Sequence, residues 1–254
     1  MLLNFKKLGE GFPIIVLHGL LGSLDNWQSI AKQLSANYTV YLIDQRNHGK
    51  SPHSEAFDYN ILSSDLLDFF EQHQLTKAHI LGHSMGGKTA MHFCLNHPEK
   101  VAKLIVADIA PSGYSDQHNS IFNALLSIDL STITSREEVQ EKLTPLIKEN
   151  GTLLFLMKGL TRTDDNQFAW RFNVDSLYKN YLLIADFPTH ENGVQTPTLF
   201  LKGADSNYIN SANYSDILRL FPNHELDEIP DAGHWLHAEN PTAFLSAVIQ
   251  FLQI

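Results

Sequence analysis

The sequence predicts an α/β fold in which a mostly parallel β-sheet is flanked by helices and carries an inserted helical segment. Short apolar segments rich in β-branched residues alternate with helical periodicities, which is typical of a parallel sheet with crossover helices. This alternation stops after Pro111 and resumes near residue 191. We therefore predict a core formed by residues 1–111 and 191–254 and a helical cap, or lid, formed by residues 112–190.

The predicted strands share their short length and apolar composition. They are Ile14–His18, Tyr38–Asp44, Ala78–Gly82, Val101–Asp108, Thr198–Lys202 and Glu225–Ile229. Two core helices are predicted from apolar residues spaced i, i+4, i+7 and i+8: Leu62, Leu66, Phe69 and Phe70, then Phe244, Val248, Phe251 and Leu252. Asn240 as N-cap and Pro241 in the first turn mark the start of the last helix. Helix-like patterning also fills the insertion, where no strand is expected.

Composition narrows the possible functions and compartments. The 254 residues are 43% hydrophobic, which is enough for a substantial core, and the formal net charge is −10. That charge disfavours non-specific binding of nucleic acid or anionic lipid, which requires a basic patch. The single cysteine, Cys94, excludes an internal disulfide and is expected to be a buried helix residue. Because neither a secretory signal nor a membrane span is recognised, we expect a cytoplasmic protein. No sequence feature supports a metal or redox cofactor, and none is expected.

The strongest functional motif is "GHSMG", residues 82–86, at the junction of a predicted strand and a helix. It fits the G-x-S-x-G pattern, in which glycines on both sides allow a sharp turn that presents a nucleophilic serine. The following helix directs its N-terminal partial positive charge at the reaction centre. Ser84 is therefore the predicted nucleophile.

A nucleophilic serine requires a general base, and His234 is the best placed of the 13 histidines. It lies in "IPDAGHWLHAEN", between the last predicted strand and the last helix, and the order of serine first and histidine last is that of α/β-hydrolases. His48 and His83 lie in glycine-flanked turns and are expected to shape the site. His237 is expected to be a surface residue at a helix start.

An oxyanion hole requires two convergent N–H donors. The first parallel strand ends in "VLHGLLG", residues 16–22. We predict that the backbone N–H of Leu20 and that of Met85, the residue after Ser84, supply the two donors. The "HGLLG" motif is weak by itself. Its position at the end of a predicted strand supports the assignment of Leu20 as an oxyanion-hole donor.

Taken together, six segments resemble the YbfF-like bacterial esterases of the α/β-hydrolase superfamily: "VLHGLLGSLDNW", "DQRNHGKS", "LGHSMGGK", "IVADIAP", "WRFNV" and "DAGHWLHAENP". The "DQRNHG" and "DIAP" segments are the discriminating ones, since the superfamily more often has R-G-H-G and lacks D-I-A-P. The resemblance extends along the whole chain. It implies a Ser-His-acid hydrolase with a helical cap that acts on carboxylic esters, with acyl-CoA thioesters as a further option.

The acid of the triad has two candidates. In many superfamily members it lies three residues after the glycine that ends the penultimate strand, and Ser206 occupies that position after Gly203. Asp205 is one residue early and would face away from His234 if the backbone stays extended. Asp108 ends an earlier strand at the sheet edge where catalytic groups gather. The YbfF-like resemblance implies Asp108 as the acid, with Ser206 as an auxiliary hydrogen-bond partner near His234, and we favour this alternative.

Within the predicted cap, "FAWRFNVDSLY" contains the candidate substrate-binding residues Trp170 and Arg171. Arg171 can bind a carboxylate or phosphate in a bidentate manner at the cap entrance. The alternative is that Trp170 packs inside the cap and Arg171 forms an internal ion pair. The two alternatives stay open on the sequence alone.

Three functions remain in competition. The first is a serine esterase or thioesterase with a small-molecule substrate, the second a C–C lyase resembling the menaquinone-pathway synthase of the same fold. The third is a ligand receptor that binds without turnover. The lyase group carries its acid at the later position, so Ser206 disfavours it. Physiological substrate, acyl length and oligomeric state are left open by the sequence.

Overall fold

The computed structural model describes residues 1–115 and 118–253. Seven strands form the main sheet and two more form a separate hairpin. Their bounds are β1 Phe5–Leu8, β2 Phe12–Leu17, β3 Tyr38–Ile43, β4 Ala78–His83, β5 Val101–Ala107, β6 Leu160–Arg162, β7 Phe168–Trp170, β8 Thr198–Gly203 and β9 His224–Ile229. The α-helices are α1 Gln28–Leu34, α2 Tyr59–Gln72, α3 Met85–Asn96, α4 Asn119–Leu126, α5 Arg136–Leu143, α6 Asn150–Lys158, α7 Val174–Lys179, α8 Tyr181–Ala185, α9 Tyr214–Leu220, α10 Leu236–Glu239 and α11 Pro241–Gln253.

The main sheet has the strand order β1-β3-β2-β4-β5-β8-β9, and every pairing except β1 with β3 is parallel. Helices cover both faces, so the central strands are buried on both sides. Alternate residues of β2 show this, because Ile15 and Leu17 join one apolar cluster while Ile14 and Val16 join another. The predicted α/β-hydrolase fold is confirmed, including all six predicted strands.

The N-terminal strand β1 was not among the predicted strands. It pairs antiparallel with β3 at the sheet edge, and three of its four residues are exposed. Its sequence, "FKKL", therefore lacks the buried apolar run by which the other strands are recognised.

The segment between β5 and β8 carries helices α4 to α8, as its periodicity predicts. The expectation that it lacks strands is wrong, because β6 and β7 form an antiparallel hairpin. Each strand has three residues, too few for an alternating pattern to emerge from the sequence. A third apolar cluster joins this segment to the core residues Tyr59 and Met85. The boundaries of an independent cap, residues 112–190, stay a prediction.

No helix within residues 1–115 and 118–253 is both long and apolar enough to cross a membrane.

Candidate active site

Ser84 lies at the sharp turn between β4 and α3. Its backbone has φ 52° and ψ −119°, a conformation that non-glycine residues rarely adopt and that projects the side chain out of the turn. The flanking glycines allow the close packing that this turn needs. A Cβ atom on Gly82 would lie 2.2 Å from the Gly86 carbonyl oxygen, and one on Gly86 would lie 2.4 Å from the Leu17 carbonyl oxygen.

His234 lies between β9 and α10 and reaches the serine from the other side of the site. Its Nε2 atom is 3.0 Å from Ser84 Oγ, within hydrogen-bond reach of the proton that a general base would remove. Its Nδ1 atom is 2.7 Å from Asp108 Oδ2, to which it donates. The imidazole therefore bridges the hydroxyl and a carboxylate.

Asp108 directly follows β5 and is fully buried. Its carboxylate accepts three hydrogen bonds. Oδ1 accepts from the Gly203 N–H at 3.1 Å, and Oδ2 accepts from both His234 Nδ1 and the Ser206 hydroxyl, the latter at 2.5 Å. A buried charge is stable only when it is hydrogen-bonded in this way. The carboxylate is thus fixed opposite the imidazole before any substrate binds.

The structure separates the two candidate acids. Asp205 is exposed, and its backbone N–H donates to the Ala232 carbonyl, which fixes that residue in the turn after β8. The next residue, Ser206, is buried and points to the carboxylate of Asp108. Ser206 is predicted as an auxiliary hydrogen-bond partner near His234. Its hydroxyl bonds the carboxylate that holds the imidazole, so its effect on the histidine is indirect.

The turn after β2 brings Leu20 next to Ser84 in the lining of one cavity, which Met85 also lines. The approach is close, since a Cβ atom on Gly19 would lie 3.3 Å from Ser84 Cβ. Within residues 1–115 and 118–253, neither the Leu20 N–H nor the Met85 N–H has an acceptor in the hydrogen-bond pattern. Both donors are therefore available to a ligand beside Ser84.

Two buried histidines hold this turn in place. His48 Nε2 accepts from the Leu21 N–H at 3.1 Å, and His18 Nε2 accepts from the Gln45 N–H at 3.0 Å. Burial lowers the pKa of both imidazoles, which keeps them neutral and able to accept. His48 has the shaping role that the sequence predicts.

The remaining histidines near the site are structural. His83 is buried, and its Nε2–H donates to the His234 carbonyl at 2.8 Å, which supports the loop that carries the base. The expectation that His237 is a surface residue is wrong, because it is buried in α10 and stacks on Trp27 with ring centroids 4.1 Å apart. Burial lowers the pKa of His237 to about 3.

Sequence reasoning missed Tyr208. Its ring stacks on the imidazole of His234 with centroids 4.0 Å apart and planes inclined by 22°. Its backbone is fixed by the Tyr114 hydroxyl, which donates to the Tyr208 carbonyl at 2.6 Å. No motif marks this residue, because its contact with His234 depends on how the loop after β8 folds.

A cavity opens beside Ser84 between the sheet edge and the segment that follows β5. Its walls are mainly apolar and aromatic, and they include Leu20, Tyr59, Met85, Ile109, Tyr114, Tyr181, Ile184 and Tyr208. Such walls suit the hydrocarbon part of a small ligand.

The predicted substrate-binding residues Trp170 and Arg171 do not belong to this lining among the described residues. Arg171 forms an ion pair with Asp25 at 2.6 Å, and Trp170 stacks on Phe172 with centroids 5.4 Å apart. The packing and ion-pair alternative describes both residues, because Trp170 ends strand β7 and Arg171, the next residue, pairs with Asp25 of the core. The prediction that they bind substrate is therefore not supported by the geometry.

Known proteins that resemble this chain are α/β-hydrolases. A family model for the alpha/beta hydrolase fold matches residues 13–241, so the chain belongs to the α/β-hydrolase family. The predicted resemblance to YbfF-like esterases is also confirmed. The chain is 34% identical over 244 residues to the Escherichia coli esterase YbfF, covering 94% of this chain and 92% of that protein.

Other relatives carry esterase or lipase names. The chain is 40% identical over 257 residues to the Danio rerio protein named sn-1-specific diacylglycerol lipase ABHD11, covering 98% of this chain and 81% of the relative. A solved structure titled marine microorganism esterase superposes with a TM-score of 0.95 at 45% identity, covering 98% of both chains. Similarity thus extends over nearly the whole chain.

Proposed function

We propose that the protein is a serine hydrolase that cleaves carboxylic esters of small molecules through an acyl-enzyme intermediate. One observation carries the proposal: the imidazole of His234 contacts the hydroxyl of Ser84 on one side and the buried carboxylate of Asp108 on the other. Nucleophile, base and orienting acid in this order form the constellation of serine hydrolases. The esterase and lipase names of the relatives agree with it.

The reaction follows from these positions. As Ser84 Oγ attacks the ester carbonyl carbon, His234 Nε2 takes the hydroxyl proton, and Asp108 stabilises the imidazolium that forms. The N–H groups of Leu20 and Met85 stabilise the negative charge on the carbonyl oxygen. The imidazolium then protonates the departing alcohol. In the second half-reaction a water attacks the acyl carbon while His234 takes its proton, and the imidazolium then protonates Ser84 Oγ as the acyl–oxygen bond breaks and the carboxylic acid leaves.

Acyl-CoA thioesters are a second substrate class that this machinery can cleave, since the same acyl-enzyme forms and only the leaving group differs. The lyase alternative remains disfavoured because Ser206 occupies the later acid position. The receptor alternative requires that the site bind without turnover. The expectation of a cytoplasmic protein without a cofactor is unchanged by these arguments.

A substrate panel tests the proposal. Short alkyl and p-nitrophenyl esters and acyl-CoA thioesters of several lengths are incubated with the protein and with its Ser84→Ala variant. We expect ester cleavage by the first and a fall of about 10⁴-fold or more in the second. Turnover of no ester would contradict the proposal and favour the receptor alternative. Equal turnover by both proteins would show that another group is the nucleophile.

A further inference from the structure

Lys88 is a charged residue in the active-site cavity that the reaction described above does not use. It lies on the first turns of α3, four residues after Ser84, and its backbone N–H donates to the Ser84 carbonyl at 3.0 Å. Both residues line the same cavity. Among the lining residues that the structure describes, Lys88 is the only lysine or arginine, and no Asp or Glu lines the cavity.

The ammonium of Lys88 is buried and held by neutral partners. Its Nζ donates to the Ala185 carbonyl at 2.7 Å and to the Asp186 carbonyl at 2.9 Å, and it lies 4.7 Å from the ring centroid of Tyr114. An ammonium has three N–H donors, so these carbonyls use two of them. Within the described chain, no acceptor takes the third. Burial lowers the pKa of Lys88 to about 7, partly offset by the nearby Asp186 carboxylate.

A buried charge is costly unless a counter-charge neutralises it. No Asp or Glu belongs to the described lining of the cavity, and the nearby Asp186 carboxylate offsets the effect of burial only in part. A ligand carboxylate can contribute a further counter-charge inside the cavity. The two carboxyl carbons of a four- or five-carbon diacid are roughly 4–5 Å apart, so such an acyl group is short enough to lie within one cavity. Because Ser84 and Lys88 line the same cavity, an acyl group held at Ser84 can direct its second carboxylate toward the ammonium.

We propose that Lys88 is a specificity residue that binds a carboxylate at the far end of the acyl group. The protein then prefers monoesters of short dicarboxylic acids over neutral esters of the same shape. This inference rests on the proposed function, because it assumes that the acyl group occupies the cavity beside Ser84. The aromatic walls accommodate the methylene groups between the two ends.

Two pairs of isosteric alkyl esters test this preference. Monoethyl succinate is compared with ethyl 4-methylpentanoate, and monoethyl glutarate with ethyl 5-methylhexanoate. Alkyl esters are needed because a neighbouring carboxylate attacks an activated aryl ester without enzyme. In Lys88→Met, we expect the ratio of kcat/KM for the charged ester to that for the neutral ester to fall at least about tenfold in one pair.

Lys103→Met is the matched control. The Lys103 ammonium also donates hydrogen bonds to backbone carbonyls, those of Phe251 and Leu252, and lies 5.1 Å from the ring centroid of Phe251. Lys103 is absent from the described cavity lining. Its replacement should leave the ratio within about twofold. Lys88→Gln, which keeps a donor without the charge, should lower the ratio as Lys88→Met does. It replaces the methionine variant if that variant unfolds.

Equal losses of kcat/KM for both esters of a pair in Lys88→Met would overturn the proposal. The role of the lysine would then be structural, through its hydrogen bonds to the carbonyls of Ala185 and Asp186. A binding measurement without turnover tests the role of Lys88 separately from ester cleavage. In Ser84→Ala, calorimetry should detect monoethyl glutarate binding that weakens at least about tenfold when Lys88→Met is added. Unchanged affinity in the double variant would also overturn it, whether or not the protein cleaves esters.

Discussion

Asp108→Asn is the change that most severely tests the arrangement of the site. The asparagine side chain has one oxygen, while the carboxylate accepts from Gly203 N–H on one oxygen and from His234 and Ser206 on the other. If the amide oxygen keeps the bond from Gly203, the NH₂ group faces His234 Nδ1. Nδ1 must then accept a hydrogen bond, so the imidazole proton is on Nε2. A protonated Nε2 cannot receive the proton of Ser84.

The expected magnitude follows from this wrong tautomer. In a serine protease, the same replacement lowered kcat by about 10⁴. We therefore expect a loss of about 10³- to 10⁴-fold here, or about 4–5.5 kcal/mol of transition-state stabilisation. KM for a short neutral ester should change little, because Asp108 is buried behind the imidazole. The variant should remain folded, since the substitution preserves the shape of the side chain.

The assay is kcat and KM for a short p-nitrophenyl ester, with thermal unfolding as a check on folding. Asp205→Asn is the matched control, because it makes the same chemical change at an exposed carboxylate 97 residues along the chain in the loop that carries Ser206. The control should lose less than about tenfold. A crippled Asp205→Asn beside a nearly normal Asp108→Asn would refute the assignment of the acid.

Three further changes have separate expected outcomes. Ser206→Ala should lower kcat by about ten- to a hundredfold, since Asp108 loses one of its three hydrogen bonds; no change in kcat would contradict this role. Gly86→Ala should cost about 1–3 kcal/mol or more of unfolding free energy in chemical denaturation, because the new Cβ would lie 2.4 Å from a backbone oxygen. Arg171→Ala should change kcat/KM by less than about fivefold for charged and neutral esters alike, because its partially exposed pair with Asp25 contributes little. A selective loss on charged esters would restore Arg171 as a binding residue.

The sequence predicts the core of this fold well because each central strand is buried on both faces. Apolar runs such as the one that ends at Leu17 therefore appear as uninterrupted segments between helices with clear periodicity. The same criterion fails for β1 and for the β6–β7 hairpin. Those strands are exposed or three residues long, and their pairing depends on neighbours distant in sequence.

The candidate site shows a similar division. Ser84 and His234 can be selected from the sequence because each follows a strand at the same edge of a parallel sheet. Asp108 and Asp205 both meet this criterion, and the sequence favours Asp108 through the family resemblance and the position of Ser206. Contacts made by loops are harder to predict from the sequence. Stacking of Tyr208 on the imidazole and burial of His237 against Trp27 depend on loop and helix packing that periodicity does not encode.

Lys88 illustrates the same limit for charged residues. In the sequence it follows two glycines at the start of a helix, a position that gives no sign of burial. Only the approach of the chain after α8 encloses its ammonium and places it in the cavity with Ser84.

The central claim is that ester cleavage passes through an acyl group on Ser84, and rapid quenching followed by intact-mass and peptide mass spectrometry tests it most directly. After mixing with a p-nitrophenyl ester, we expect a transient mass increase equal to one acyl group, located on the peptide that contains Ser84. The Ser84→Ala variant should show no such increase. An acyl group on another residue, or equal acylation of the variant, would contradict the account.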